Sequence, residues 1–111
     1  MNPTTKVSQE VVAERNAQDT RWGEQNHPDH HPNVAMGLQS VRFIYDIPSE
    51  ALAKDSCEHR RTLGIMSWAD ILNEEFVEAL HAETTEDLRA ELIQVAAVAQ
   101  AWVECIDRRE S

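Results

Sequence analysis

Two helical segments of this chain carry carboxylates on faces that should be apolar. At 100° per residue, Trp68, Ile71, Leu72, Phe76 and Ala79 share one helical face, and Glu75 falls in the middle of that arc. Glu78 lies at the arc's edge, one turn on and about 4.5 Å further along the axis. A later segment repeats the pattern. Leu88, Leu92, Val95, Ala99, Trp102, Val103 and Ile106 form its stripe, with Glu91 flanking it and Gln94 slightly further round. Two such helices packed side by side bring hard oxygen ligands together and suit Mg²⁺, with water completing an octahedral shell. On pattern alone Glu74, Glu83 and Glu86 read as solubilising charge.

Other residues have the chemistry to hold a phosphorylated ligand. Lys54 and Arg61 are seven apart and nearly on one helical face, with Arg60 beside them. One of them reaches phosphate, or both make ordinary surface ion pairs. Arg21 is a comparable cation. Trp22, Gln25, Asn26 and His27 combine a flat surface with directional polar groups, as recognition of a base requires. Trp22 taken alone reads as a core residue. His27, His30, His31, Cys57 and His59 have no paired CxxC knuckle and do not match a structural zinc spacing. Cys57 has no positioned base in sequence and reads as a small buried residue rather than a nucleophile.

The elements that must position these groups are helical. SQEVVAERNAQDTRW predicts a first helix over residues 9–22, with Ser8 as N-cap and Val11, Val12 and Trp22 as packing residues. GEQNHPDHHPN follows as a polar loop. MGLQSVRFIYDI reads as irregular or short helical structure, because no second strand exists to pair with it. Pro48 and Ser49 precede a helix of about fourteen residues closed by Gly64. Ser67 and Asp70 resemble a capping box before WADILNEEFVEALHA. Thr84 or Thr85 caps a last helix over roughly 86–109, whose Arg108 and Arg109 suit the negative end of the helix dipole. The reading is an all-α fold in one domain spanning residues 1–111, with residues 1–7 flexible.

Glu74-Glu75-Phe76-Val77-Glu78, followed thirteen positions later by Glu91-Leu92-Ile93-Gln94, resembles the EExxE…ExxD signature of the MazG-like, all-α nucleoside triphosphate pyrophosphohydrolases. The likeness spans residues 67–107, and QDTRWGEQNHPD (residues 18–29) is similar to the N-terminal segment of small proteins of that family. The resemblance implies a four-helix bundle completed by self-association as a homodimer or homotetramer. It also implies a Mg²⁺-dependent hydrolase, Mn²⁺ substituting, that cleaves between the α and β phosphates to give a nucleoside monophosphate and pyrophosphate. Glu75, Glu78 and Glu91 are the implied metal ligands, with Gln94 at a position where the family has an aspartate. Glu75 also counts among the implied catalytic groups, and Glu74 serves as an outer ligand or orients water. A glutamine offers one neutral oxygen and neutralises less cation charge.

Composition narrows the field further. One hundred and eleven residues suffice for one modest core. Twenty acidic against ten basic residues, a net charge of −10, argue against a nucleic-acid partner. The two cysteines do not make a disulfide framework. The start MNPTTKVSQEVV lacks a signal-like apolar stretch, and no apolar run reaches membrane-spanning length, so a cytoplasmic setting is expected. The non-enzymatic alternative is an acidic helical module for self-association or partner binding, with the glutamates as surface charge.

Overall fold

The computed structural model describes residues 1–110. It is all-helical, with six helices and no strand among the described residues: α1 Pro3–Trp22, α2 Pro32–Ala35, α3 Val41–Tyr45, α4 Glu50–Thr62, α5 Trp68–His81 and α6 Thr85–Glu110. Four are long and two are single turns. None of the described helices is long and apolar enough to cross a membrane. The chain divides into two compact units, Met1–Asp29 with the segment from Gln100 onward, and His30–Ala99.

In the first unit α1 begins at Pro3, six residues before the sequence-predicted start at residue 9. Asn2 is the cap, its side-chain oxygen accepting from the Thr5 N–H at 2.8 Å, and proline at the first helical position needs no N–H partner. The stretch 1–7, expected to be flexible, thus coincides with the cap and first turns. Ser8, expected to cap, instead accepts from Gln100 Nε2 at 2.9 Å. That amide also donates to the Thr4 carbonyl, and the Thr4 hydroxyl donates to Glu104 at 2.9 Å. These pairs run the start of α1 antiparallel to the tail of α6 and bury Val7. Residues 9–22 lie beyond the covered turns and are exposed, including Val11, Val12 and Trp22, which do not form the packing face expected of them. Gly23, at φ 72°, ends the helix in a conformation that glycine adopts without strain.

In the second unit α4 and α5 form the principal contact. Ser49 caps α4, and Gly64, at φ 74°, lets the chain leave it while the Ile65 N–H returns to the Arg60 carbonyl. The Ser67–Asp70 capping box that starts α5 is present. Buried residues come from both helices: Ala53 and Cys57 one turn apart on α4, Val77 and Ala79 on α5. Val77 and Ala79 are about 200° apart around the helix, so α5 is covered on two sides. The apolar arc read from sequence holds for buried Ala79 and half-buried Trp68, Ile71 and Leu72 but not for Phe76, which is 43% exposed, and Val77, outside that arc, is fully buried. Ser40 caps the short α3, and His31 Nδ1 caps α2 by accepting from the Asn33 N–H. His30 Nε2 meets the Leu80 carbonyl at 3.1 Å, and the His31 N–H donates to the Tyr45 hydroxyl. These histidines tie the polar loop to helices.

Candidate metal centre

The direction in which α5 presents its acids is set at its first turn. Ser67 Oγ accepts from the Asp70 N–H, and Asp70 Oδ2 accepts in return from the Ser67 N–H at 3.0 Å and from its hydroxyl at 2.9 Å. Asp70 Oδ1 takes a 2.9 Å bond from Arg60 of α4. The Ser67 donors first, and Arg60 after them, hold the Asp70 carboxyl below the usual range. The helix therefore starts in a fixed phase. After α5 a three-residue turn, 82–84, reverses the chain, and Thr84 Oγ1 accepts from the Asp87 N–H to start α6.

Glu75 and Glu78 of α5 meet Glu91 of α6, each offering a carboxylate oxygen within 4.8 Å of the other two. All three are half-buried. Glu91 Oε2 is fully buried with no hydrogen-bond partner. The ion pairs among the described residues leave the three glutamates without a lysine or arginine. Burial, reinforced by the charges of Glu75, Glu91 and Glu74, pushes the Glu78 carboxyl up to about 7, and burial with Glu91 and Glu74 raises Glu75 too. Half-buried carboxylates of like charge, one with a buried oxygen that lacks a partner, form a donor set that a hard divalent cation fits: the cation would satisfy the orphaned oxygen and cancel the repulsion.

Glu78 and Glu91 also border a cavity of about 280 Å³ shared with Glu50, His81, Glu83 and Asp87. Sequence reading missed this rim. Glu83 had looked like plain surface charge, and nothing in the spacing of Glu50, His81 and Asp87 joins them, because they come from three helices. His81 Nε2 lies 3.0 Å from the Pro48 carbonyl, which makes it the protonated nitrogen.

Glu74 is half-buried, the Cys57 thiol donates to the Met66 sulfur at 3.6 Å, and burial, then Glu74, pushes that thiol up to about 11. Such a thiol is not a nucleophile at neutral pH. Gln94, one turn beyond Glu91, is exposed, as is Lys54. Arg61 makes a surface pair with Glu58 at 3.4 Å. In the first unit, the Arg21 guanidinium lies 6.0 Å from the Trp22 ring centroid, and Trp22 is 64% exposed, which removes it from the core. Asn26 donates to Glu24 at 3.0 Å. Gln25 and His27 line an open cavity of about 770 Å³ with Arg15, Gln18, Asp19 and Glu24. Arg15 had not been singled out, although its spacing to Asp19 is that of an i,i+4 pair, which it forms at 3.0 Å.

No protein-family model, curated protein or solved structure matches the chain.

Proposed function

We propose that this chain is a Mg²⁺-dependent nucleoside triphosphate pyrophosphohydrolase, a MazG-like helical bundle acting in the cytoplasm as a homodimer or homotetramer. The observation that carries the reading is the convergence of Glu75, Glu78 and Glu91 around the unpartnered Glu91 Oε2. These are the acids that the EExxE…ExxD resemblance singles out, and they meet across two helices.

Glu75, Glu78 and Glu91 would hold the cation, with the exposed amide of Gln94 as a peripheral oxygen. When bound, Mg²⁺ (or Mn²⁺ in its stead) supplies charge neutralisation for the phosphates and a lowered pKa for water. Glu74, adjacent to Glu75 in the chain, serves as an outer ligand or orients water. Lys54 is exposed, and the Arg61–Glu58 pair is a surface contact of little intrinsic strength, so both cations are free to turn to phosphate. The segment with Arg21, Trp22, Gln25, Asn26 and His27 is the proposed base-recognition element. Water attacks the anhydride between the α and β phosphates, releasing the nucleoside monophosphate and pyrophosphate.

Self-association is supported by the scarcity of core and by the exposure of Leu92, Ile93 and Val103 on α6. Sedimentation giving only monomer at micromolar concentration would refute it.

The test of the activity is hydrolysis of canonical and modified nucleoside triphosphates with Mg²⁺ or EDTA, resolving monophosphate, diphosphate, pyrophosphate and orthophosphate. Monophosphate with pyrophosphate, lost in EDTA, is the expected result. A folded protein that neither turns over nor binds Mg²⁺ would transfer the reading to the acidic interaction module, for which the same exposed apolar residues of α6 are the favouring observation.

A further inference from the structure

α6 is one uninterrupted helix of 26 residues, and none of its residues is buried. Its half-buried apolar residues Leu88, Val95, Val98, Trp102 and Ile106 share a face with Glu91. A second apolar face stands beside the first. Leu92, Ala96, Ala99 and Val103 fall within about 60° of one another around the helix, and all four are exposed, Leu92 at 51% and Val103 at 41%. Their spacing of four, three and four residues is that of a seam covered by a second helix. The start of α1 does not supply that helix, since its bonds to the tail of α6 go to Gln100 and Glu104 and leave Val103 open. Residues 92–103 carry no charge in a chain whose net charge is −10. Depletion of charge at the centre, with charged groups at the rim, is the composition of an association surface.

The charges at the two ends of this face select its partner. Arg89 and Asp107 are 18 residues apart, five whole turns at 3.6 residues per turn, so they stand on one line along the edge of the seam. Both are exposed. Arg89 makes no ion pair among the described residues, and the 3.8 Å pair of Asp107 with Lys6 engages only Oδ2. A second α6 laid antiparallel across the first, about a twofold axis between Ala97 and Val98, brings Leu92 level with Val103 of the second copy and Ala96 level with its Ala99. The same operation sets each Arg89 within one residue of Asp107 of the other copy, on the same side of the pair. A parallel pair would instead set Arg89 against Arg89 and Asp107 against Asp107. We propose that the Leu92–Val103 face of α6 is covered by α6 of a second copy running antiparallel, with Arg89 of each copy paired to Asp107 of the other. The pairing is self-complementary, as a twofold interface requires. It rests on the self-association proposed above, to which it gives a surface and a direction, and it is independent of the cation and of turnover.

The test is a charge exchange in the full chain, read by sedimentation velocity. Arg89→Glu alone and Asp107→Arg alone each set like charges together twice in the pair and weaken association about tenfold. The double variant restores opposite charges and recovers most of the loss. Single variants without effect, or a double variant no better than the singles, overturn the proposed surface while a persisting oligomer leaves self-association standing. A wild-type protein that is monomeric at micromolar concentration overturns both. Oxidative cross-linking in a Cys105→Ser background gives the direction independently of the charges. Leu92→Cys mixed with Val103→Cys should form a disulfide between copies that neither protein forms alone, since in the antiparallel pair two copies of position 92 lie about 16 Å apart along the axis. Cross-linking of Leu92→Cys with itself would mean a parallel pair, and no cross-link in an associated mixture would place the contact elsewhere; either result overturns the proposal.

Discussion

Replacing Glu78 with glutamine in the metal-free protein should raise its stability by an amount that grows with pH. In the unfolded chain this carboxyl titrates at its ordinary 4.5; in the folded protein burial and three neighbouring glutamates raise it to about 7. Below pH 4.5 both states hold the proton and the group costs nothing. From 4.5 to 7 the folded state binds more proton than the unfolded state, so stability falls as pH rises; above 7 the loss is complete. At about 1.4 kcal/mol per tenfold change in proton affinity, the full loss is about 3 kcal/mol. Coulomb's law gives the same scale: two charges at the 4.8 Å limit of the cluster repel by about 3 kcal/mol at an effective dielectric of 20. The amide of the Glu78→Gln variant has no charge to lose. Urea unfolding followed by far-ultraviolet circular dichroism, in EDTA at pH 5 and pH 8, isolates the effect as the difference between variant and wild type. That difference should be larger at pH 8 by about 2–3 kcal/mol, or about 10 °C in Tm for a domain of this size. An equal difference at both pH values would refute the argument that Glu78 is held among like charges.

Mg²⁺ should reverse the same strain: at a hundredfold excess over its Kd it stabilises the wild type by about 2.7 kcal/mol, and Glu91→Gln should lose most of the thermal shift; an undiminished shift would move the cation elsewhere. Glu75→Gln is expected to lower turnover more than a hundredfold with helicity retained, and a folded variant with normal rates would remove Glu75 from the machinery. Ser67→Ala breaks the capping box and should cost about 1 kcal/mol in urea unfolding. Val77→Ala, at a fully buried position, should cost about 2 kcal/mol, and a loss near zero would contradict its place in the core.

Features with a local cause were legible in the sequence. The Ser67–Asp70 box, the Ser49 cap and the turn at Gly64 depend on a few adjacent atoms, and they formed as the residue types required. Glu75, Glu78 and Glu91 were legible because one helical turn and a motif connect them. The apolar arc of α5 was legible only in part, since it assumed one covered face where two are covered, leaving Phe76 open and Val77 enclosed. The start of α1 was misread because Ser8 is as good a cap as Asn2 in isolation; pairing with Gln100, ninety-two residues away, claims its hydroxyl. Glu50 and Asp87 at the cavity rim were invisible for the same reason, as only tertiary structure joins them to Glu78.

The Asp70 carboxylate binds the first turn of α5 with one oxygen and Arg60 of α4 with the other. That double attachment has a consequence for how the chain tolerates changes in length. Between Asp70 and Glu75 a single inserted residue would rotate every later position by about 100° and advance it by about 1.5 Å, carrying the three-carboxylate cluster out of alignment while the cap stayed intact. The connection at Gly64 lies ahead of the attachment, and a residue added there can be absorbed before Ser67. Length variants in the two places therefore separate folding from alignment: both would keep their helices, but only the one upstream of Ser67 would keep its acids together.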